Sequence, residues 1–408
     1  MRSVLQLSLA LTCLCLAWAC TPSLTLYREG ILVSPPGAGP ATFTVLTYNA
    51  WHGLNTGEFW VTPAETVASS HARLKFQAAL IKAAKPDVVL LQEVNPLPMR
   101  ADLYVQTLAE LGLEYDAIHQ VDACGIRVRE GKGLIPGLNN GLVILARREL
   151  ALRKLQGLKL SGDAGRCDSL SGLQLEELRY ALIGDITIPE TGQHYLIAST
   201  HLHSGFEAGA HFLGQMERAH GAGFLARYPA FRWEIDQARL RRIGELDLLT
   251  RTLRQFRRDG VYAGFAMGGD FNFEPDFPEY QEAVLLRITD AHVLDSRDRE
   301  LFTADPKQNR WIRIPEDLDL PVELQRVFRT LPPELQPKAL EAYRSEAERP
   351  RRIDYLWLEH FFPDYCVRQR LFGTEVNEEG FPASDHFGVL TTFSRDEEAC
   401  QTDSSTSR

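Results

Sequence analysis

Six places in this 408-residue sequence set a side chain capable of acid, base or ligand chemistry at or beside an apolar run. Asn49 follows the run 43–48, Glu93 follows 87–92, and His201 closes 195–201. Asp270 and Asn272 follow 263–269, Asp354 lies in 352–358, and Asp385-His386 precede 387–393. Strand ends and the loops beyond them are where α/β proteins assemble sites, because the sheet fixes where each side chain starts. Singly, each has an ordinary explanation: an Asn forms a turn, a Glu solvates a strand end, and Ser384-Asp385-His386 caps or turns. The segment Gly268-Gly269-Asp270-Phe271-Asn272 is harder to dismiss. Its glycines permit close backbone approach, and an extended chain points Asp270 and Asn272 the same way.

Together the residues define one chemistry. The oxygen ligands Asn49, Glu93 and Asp385 suit a hard cation, Mg²⁺ or Mn²⁺, and not zinc. Asp354 is suited to orient His386 and hold a proton on it, a carboxylate–imidazole dyad for acid–base work. His201 and Asn272 offer donors to phosphate oxygens. Hydrolysis of a phosphoester needs this combination of neutralised oxygens, a positioned water and donors for the developing charge.

The elements that must position these groups are legible as alternating runs. Residues 43–48, 87–93, 142–146, 180–188, 195–201, 263–269, 352–358 and 387–393 read as strands, with a Pro189-Glu190-Thr191-Gly192 turn joining two of them. Residues 71–84 and 233–257 have helical periodicity, the second with an arginine-rich polar face. Strands alternating with helices and hairpins predict an α/β fold with mixed sheets. Two stretches, 204–231 and 312–350, read as insertions, and no composition break marks a second domain.

The N-terminus stands apart. Arg2, an apolar run over 4–16 and Ala17-Trp18-Ala19 predict a signal peptide over 1–19, with Cys20 placed like the lipidated cysteine of bacterial lipoproteins. Simple secretion is the alternative. A Pro/Gly-rich linker over 20–42 leads to a domain over 43–394, and 395–408 reads as a disordered tail. Export makes disulfides possible among Cys124, Cys167, Cys366 and Cys400, whose pairing is open, and none has Cys-x-x-Cys spacing. The net charge of −10 lends no support to a general nucleic-acid binder.

The sequence resembles the endonuclease/exonuclease/phosphatase superfamily. The resemblance rests on Thr47-Tyr48-Asn49, Leu91-Gln92-Glu93, Asn140-Gly141-Leu142-Val143-Ile144-Leu145, Ser199-Thr200-His201-Leu202, Gly268-Gly269-Asp270-Phe271-Asn272, Ile353-Asp354-Tyr355 and Ser384-Asp385-His386. It implies a four-layer α/β sandwich, two packed, mostly antiparallel (mixed) β-sheets flanked by helices, with the site at one end. It implies Asn49 and Glu93 near the metal with Asp385 joining them, and Asp270 and Asn272 positioning water and phosphate. His386, paired with Asp354, becomes general base or phosphate ligand, and His201 stabilises the pentavalent transition state, with His203 as a competing choice. Thr303, Asp305 and Asn309 are similar to a segment beside the site in some members.

The resemblance specifies chemistry better than substrate. An exported, monomeric, Mg²⁺-dependent phosphodiesterase is the expected activity, acting on a phospholipid or sphingolipid headgroup, with a membrane tether through Cys20. The insertion aromatics Phe206, Phe212, Phe224, Tyr228, Phe231 and Trp233 are candidates to touch lipid or to form core. An extracellular nuclease is the alternative, using arginines 239–258 against nucleic acid or leaving them as a solvated face. A non-catalytic surface protein of the same fold is the third.

Overall fold

The computed structural model describes residues 39–55, 62–63, 65–123, 126–129, 133–136, 139–162, 173–174, 178–205, 210–297, 299–312 and 327–396. The expected signal segment, Cys20, most of the linker, Phe206, Cys124, Cys167, Cys400 and the tail from 397 lie outside them.

The chain runs β1 (Thr42–Asn49), α1 (Val67–Ala84), β2 (Val88–Val94), α2 (Met99–Glu110), β3 (Tyr115–Ala123), β4 (Asn140–Arg147), β5 (Arg153–Ser161), β6 (Arg179–Ile188) and β7 (Gln193–His201). It continues α3 (Ala210–His220), α4 (Phe224–Arg227), α5 (Pro229–Asp259), β8 (Tyr262–Asp270), α6 (Pro278–Leu285), β9 (Thr289–Asp290), α7 (Ala291–Leu294), α8 (Gln336–Ala347), β10 (Asp354–Glu359), β11 (Cys366–Phe372) and β12 (Gly388–Ser394). Two six-stranded sheets result, ordered β11-β12-β1-β2-β4-β3 and β9-β10-β8-β7-β6-β5. Each holds a single parallel pair, β1/β2 and β7/β8; the other pairs are antiparallel.

Alternation along the central strands sorts their side chains into layers. Val45, Leu90 and Ile144 of one sheet meet Leu182, Ile197 and Leu356 of the other in the core between them. The intervening Leu46, Val89 and Val143 face α1 and α2, where Leu74, Ala78, Ile81, Tyr104 and Leu108 are buried. On the far side Ile183, Leu196 and Met267 pack under Leu246, Leu249 and Leu253 of α5. This is the expected α/β sandwich: two mixed sheets flanked by helices. Thr66 caps α1 by accepting the Ser69 amide at 3.1 Å. Gly268 lets the sheets close, since a Cβ there would lie 2.8 Å from Leu90 Cδ1 and 3.1 Å from Thr47 Cβ.

The two insertions pack against each other. Phe212, Met216, Phe224, Phe231 and Ile235 form a separate small core with Val327, Phe328, Leu331, Ala339 and Ala342. Phe212, Phe224 and Phe231 therefore serve packing and offer nothing to a lipid surface; of the expected aromatics among the described residues, only Trp233 is exposed. No described helix is long and apolar enough to cross a membrane.

Candidate active site

The two parallel pairs bring four strand ends to one edge of the sandwich. Asn49 pairs with Gln92, His201 with Asp270, and Asp270 with Asp354. Asp354 begins its strand because β10 runs antiparallel to β8. Glu93 and Asn272 adopt left-handed backbone, with φ of 57° and 52°. Such conformations are uncommon for non-glycine residues and turn the side chain away from the strand's alternation.

Asp270 is the hub. Its Oδ2 accepts from Asn49 Nδ2 at 3.2 Å and its Oδ1 from the Asn272 amide at 3.0 Å. Two imidazoles face Oδ2, His201 Nε2 at 3.5 Å and His386 Nε2 at 3.8 Å. His386 Nδ1 bonds Asp354 Oδ2 at 2.9 Å, both groups being buried. Glu93 receives the His52 amide at 3.2 Å; His52 Nε2 lies 3.7 Å away and His201 Nδ1 3.9 Å. The structure thus brings Asn49, Glu93, His201, Asp270, Asn272, Asp354, Asp385 and His386 to one end of the sandwich.

One expectation changes and two alternatives gain geometry. The segment after Gly269 turns, so Asp270 and Asn272 meet through a hydrogen bond instead of projecting in parallel; Asn272 Nδ2 then donates to the Leu202 carbonyl at 3.1 Å. His201 lies between Glu93 and Asp270, whereas the backbone amide of His203 binds Glu245 on α5 at 2.8 Å. The arginines of α5 are engaged with carboxylates: Arg242 is fully buried against Glu279, Arg241 pairs with Glu245, and Arg254 and Arg257 share Glu359. Arg251 pairs with Asp247 at the surface, and Arg258 donates to Gln255.

The segment after α7 supports the dyad. The Thr303 hydroxyl accepts the amides of Ile353 and Asp354, each at 3.2 Å, and its carbonyl accepts from Phe387. Asn309 Nδ2 donates to the Ser384 carbonyl at 2.8 Å, and Asp305 accepts the Lys307 amide. The sequence reading missed His52. Its signal was an imidazole three residues after Asn49, inside the loop that must face Glu93.

The charges are arranged unevenly. Burial pushes the Glu93 carboxyl up, but His52, His201 and His386 outweigh it and hold it at about 2. Burial raises Asp385, and Glu93 adds to the rise. Burial lowers His386, yet Asp354 and Asp270 overcome it and hold the imidazole well above its ordinary value. Asp270, Asp354 and His386 have ligand atoms close enough to hold a metal ion, and the buried Asp354 Oδ1 has no hydrogen-bond partner. Mutually repelling carboxylates and an orphaned carboxylate oxygen fit a divalent cation.

The model of the Endonuclease/Exonuclease/phosphatase family matches residues 46–386. Among solved structures, the chain is similar to an endonuclease/exonuclease/phosphatase from Bacteroides vulgatus at 16% identity, over 87% of this chain and 99% of that one, with a TM-score of 0.53. A family protein from Bacteroides thetaiotaomicron shares 15% identity over 89% and 98%, with a TM-score of 0.52. A mannosyl-6-phosphatase from Bacteroides thetaiotaomicron shares 15% identity over 86% and 98%, with a TM-score of 0.50. No curated protein matches the sequence.

Proposed function

The chain belongs to the endonuclease/exonuclease/phosphatase family, whose members are metal-dependent phosphoester hydrolases, and from that premise we propose an exported, monomeric, Mg²⁺-dependent phosphodiesterase acting on a lipid headgroup. The observation carrying the chemistry is the pair of imidazoles facing Asp270 Oδ2 at 3.5 and 3.8 Å. Both distances are longer than a good hydrogen bond, so the three groups can converge on one oxygen seated beside them. Asp270, fixed by Asn49 and Asn272, orients the attacking water and accepts its proton as the P–O bond to the leaving alcohol breaks, the alcohol oxygen taking a proton from solvent. His386 is held protonated by Asp354, so it donates to a phosphoryl oxygen instead of acting as base. His201 stabilises the charge that develops on the other side. Glu93, Asp385 and Asn49 would hold the cation. When bound, the cation neutralises phosphate oxygens.

Export and the lipid substrate are supported by the signal-like N-terminus, Cys20, the acidic net charge and the disulfide-bonded Cys366, since disulfides persist outside reducing compartments. The nuclease reading loses part of its sequence support, because Arg241, Arg242, Arg254 and Arg257 of α5 are paired with carboxylates.

One panel decides. The purified protein is assayed with Mg²⁺ against bis-p-nitrophenyl phosphate, sphingomyelin, phosphatidylcholine, plasmid DNA and mannose 6-phosphate, with His386→Ala as control. Lipid turnover lost in the variant is expected. Cleavage of DNA alone, or of the monoester alone, replaces the substrate assignment, and no metal-dependent turnover of any ester ends the enzyme reading. Mass spectrometry of the mature N-terminus tests the tether: an unmodified Cys20 removes it.

A further inference from the structure

Three aromatic rings stand in a column beside the site. Trp51 lies on Trp311, with centroids 4.6 Å apart and planes 36° apart, and Trp311 lies on Phe381 at 4.5 Å and 33°. A guanidinium closes each end: Arg73 is 4.8 Å from the Trp51 ring and Arg310 is 4.6 Å from Phe381. The central Trp311 ring therefore touches both other rings of the column.

Each ring comes from a different loop, close in sequence to a residue of the site. Trp51 is two residues past Asn49 and its amide donates to Asn49 Oδ1 at 3.1 Å. Trp311 is two residues past Asn309 and its amide donates to Asn309 Oδ1, also at 3.1 Å. Phe381 is four residues before Asp385, and Trp311 Nε1 donates to the neighbouring Pro382 carbonyl at 2.9 Å. Beneath the column the same loops are tied together: Ser384 donates its hydroxyl to the Asn49 carbonyl at 2.6 Å, and Gln77 donates to the carbonyls of Ala50 and Ala383. Trp51 itself is held at a φ of 59°. A bulky residue in that region costs energy and persists only where its surroundings over-determine it.

We propose that the Trp51–Trp311–Phe381 column is a clamp that sets the spacing of Asn49 against Asp385-His386, making these rings positioning residues for the proposed phosphodiesterase site. The inference rests on that reading for its activity arm alone. Asn49 and Asp385 sit on separate loops more than 300 residues apart in sequence, so a lateral constraint between the loops fixes their separation.

The test compares Trp311→Ala and Trp311→Phe with the wild type in the full chain. Turnover of bis-p-nitrophenyl phosphate, Mn²⁺ affinity by electron paramagnetic resonance and Tm are all measured. Trp311→Ala is expected to lower kcat by about 100-fold with KM nearly unchanged, the loss typical of an ångström-scale misplacement. Its Mn²⁺ affinity should fall, and Trp311→Phe should restore both. A raised KM with kcat intact would mean that the rings touch substrate and would overturn the clamp. So would a lowered Tm with kcat and Mn²⁺ affinity intact. If Trp311→Ala does not fold, Phe381→Leu at the outer end of the column takes its place under the same criteria. If the wild type turns over nothing, the phosphodiesterase reading fails, while the Mn²⁺ titrations still decide the clamp.

Discussion

Replacing Asp354 by Asn removes one charge and keeps the side chain's shape. The carboxylate sits 2.9 Å from His386 Nδ1, with 1% and 9% of the two residues exposed, so solvent offers little compensation. A hydrogen bond to a charged group is worth about 1.5–3 kcal/mol net. At about 1.4 kcal/mol per factor of ten, Asp354→Asn should lower kcat by roughly 100-fold at neutral pH. The pH profile carries the sharper signature. Asp354 is the largest influence raising His386 against burial, so the protonated imidazole, and the activity that needs it, is lost as pH rises through that raised value. In Asp354→Asn the same alkaline limb should move to lower pH. The stability contribution has the same sign: it is fully present below the unfolded-state pKa of about 6.5 and lost as pH rises through the folded value. Steady-state kinetics from pH 5 to 10 on both proteins, repeated in a His386→Gln background, make the assay. The Asp354→Asn loss should vanish in that background. An alkaline limb that stays in place, or losses that add independently, would refute the dyad.

Glu93→Gln should raise the Mg²⁺ requirement more than Asn272→Ala does; equal metal titration curves would count against Glu93 as ligand. Because Glu93 is held down at about 2, its ion pairs stabilise the fold above the ordinary carboxylate value and are lost as pH falls toward 2. In chelator, the Tm gap between wild type and Glu93→Gln should therefore be widest near neutrality and close in acid. Arg242→Ala leaves Glu279 buried without its partner and should cost about 3–5 kcal/mol by urea denaturation, whereas Arg251→Ala, at an exposed pair, should cost no more than about 1 kcal/mol. Gly269→Ala places a Cβ 1.8 Å from the Thr200 carbonyl oxygen and should destabilise by about 1–3 kcal/mol, with a matching fall in denaturation midpoint.

What the sequence revealed and hid follows the sheet order. The eight runs read as strands are β1, β2, β4, β6, β7, β8, β10 and β12, the interior positions of the two sheets. Buried on both faces, they spell continuous apolar segments. The four left unread, β3, β5, β9 and β11, are the edges. Edge strands carry charged and polar residues that blunt further pairing, as in Arg153–Ser161, whose residues are mostly half-exposed. The site residues were legible for the same reason as the interior strands: they punctuate apolar runs. Their conformations were not. The left-handed turns at Trp51, Glu93 and Asn272 fall on residue types with no glycine signature, so only tertiary contacts reveal them. His52 escaped because a lone imidazole in a loop has no pattern to break.

The structure also relocates the question of selectivity. The sequence offered two macroscopic handles, an aromatic insertion for lipid and an arginine-rich helix for nucleic acid. Folding consumes both: the rings of 212, 224 and 231 become a core shared by the two insertions, and Arg242 becomes the buried partner of Glu279. Burial of a ring removes it from any interface, and a guanidinium committed to a carboxylate has little left for a phosphate. Among the described residues, discriminating contacts then fall to the rim of the site, where His52 and Arg310 are partly or wholly exposed. Among the described residues this rim offers one imidazole and one guanidinium, short of the row of cations that an extended polyanion needs. That count of cations accords with the proposed headgroup ester more than with DNA.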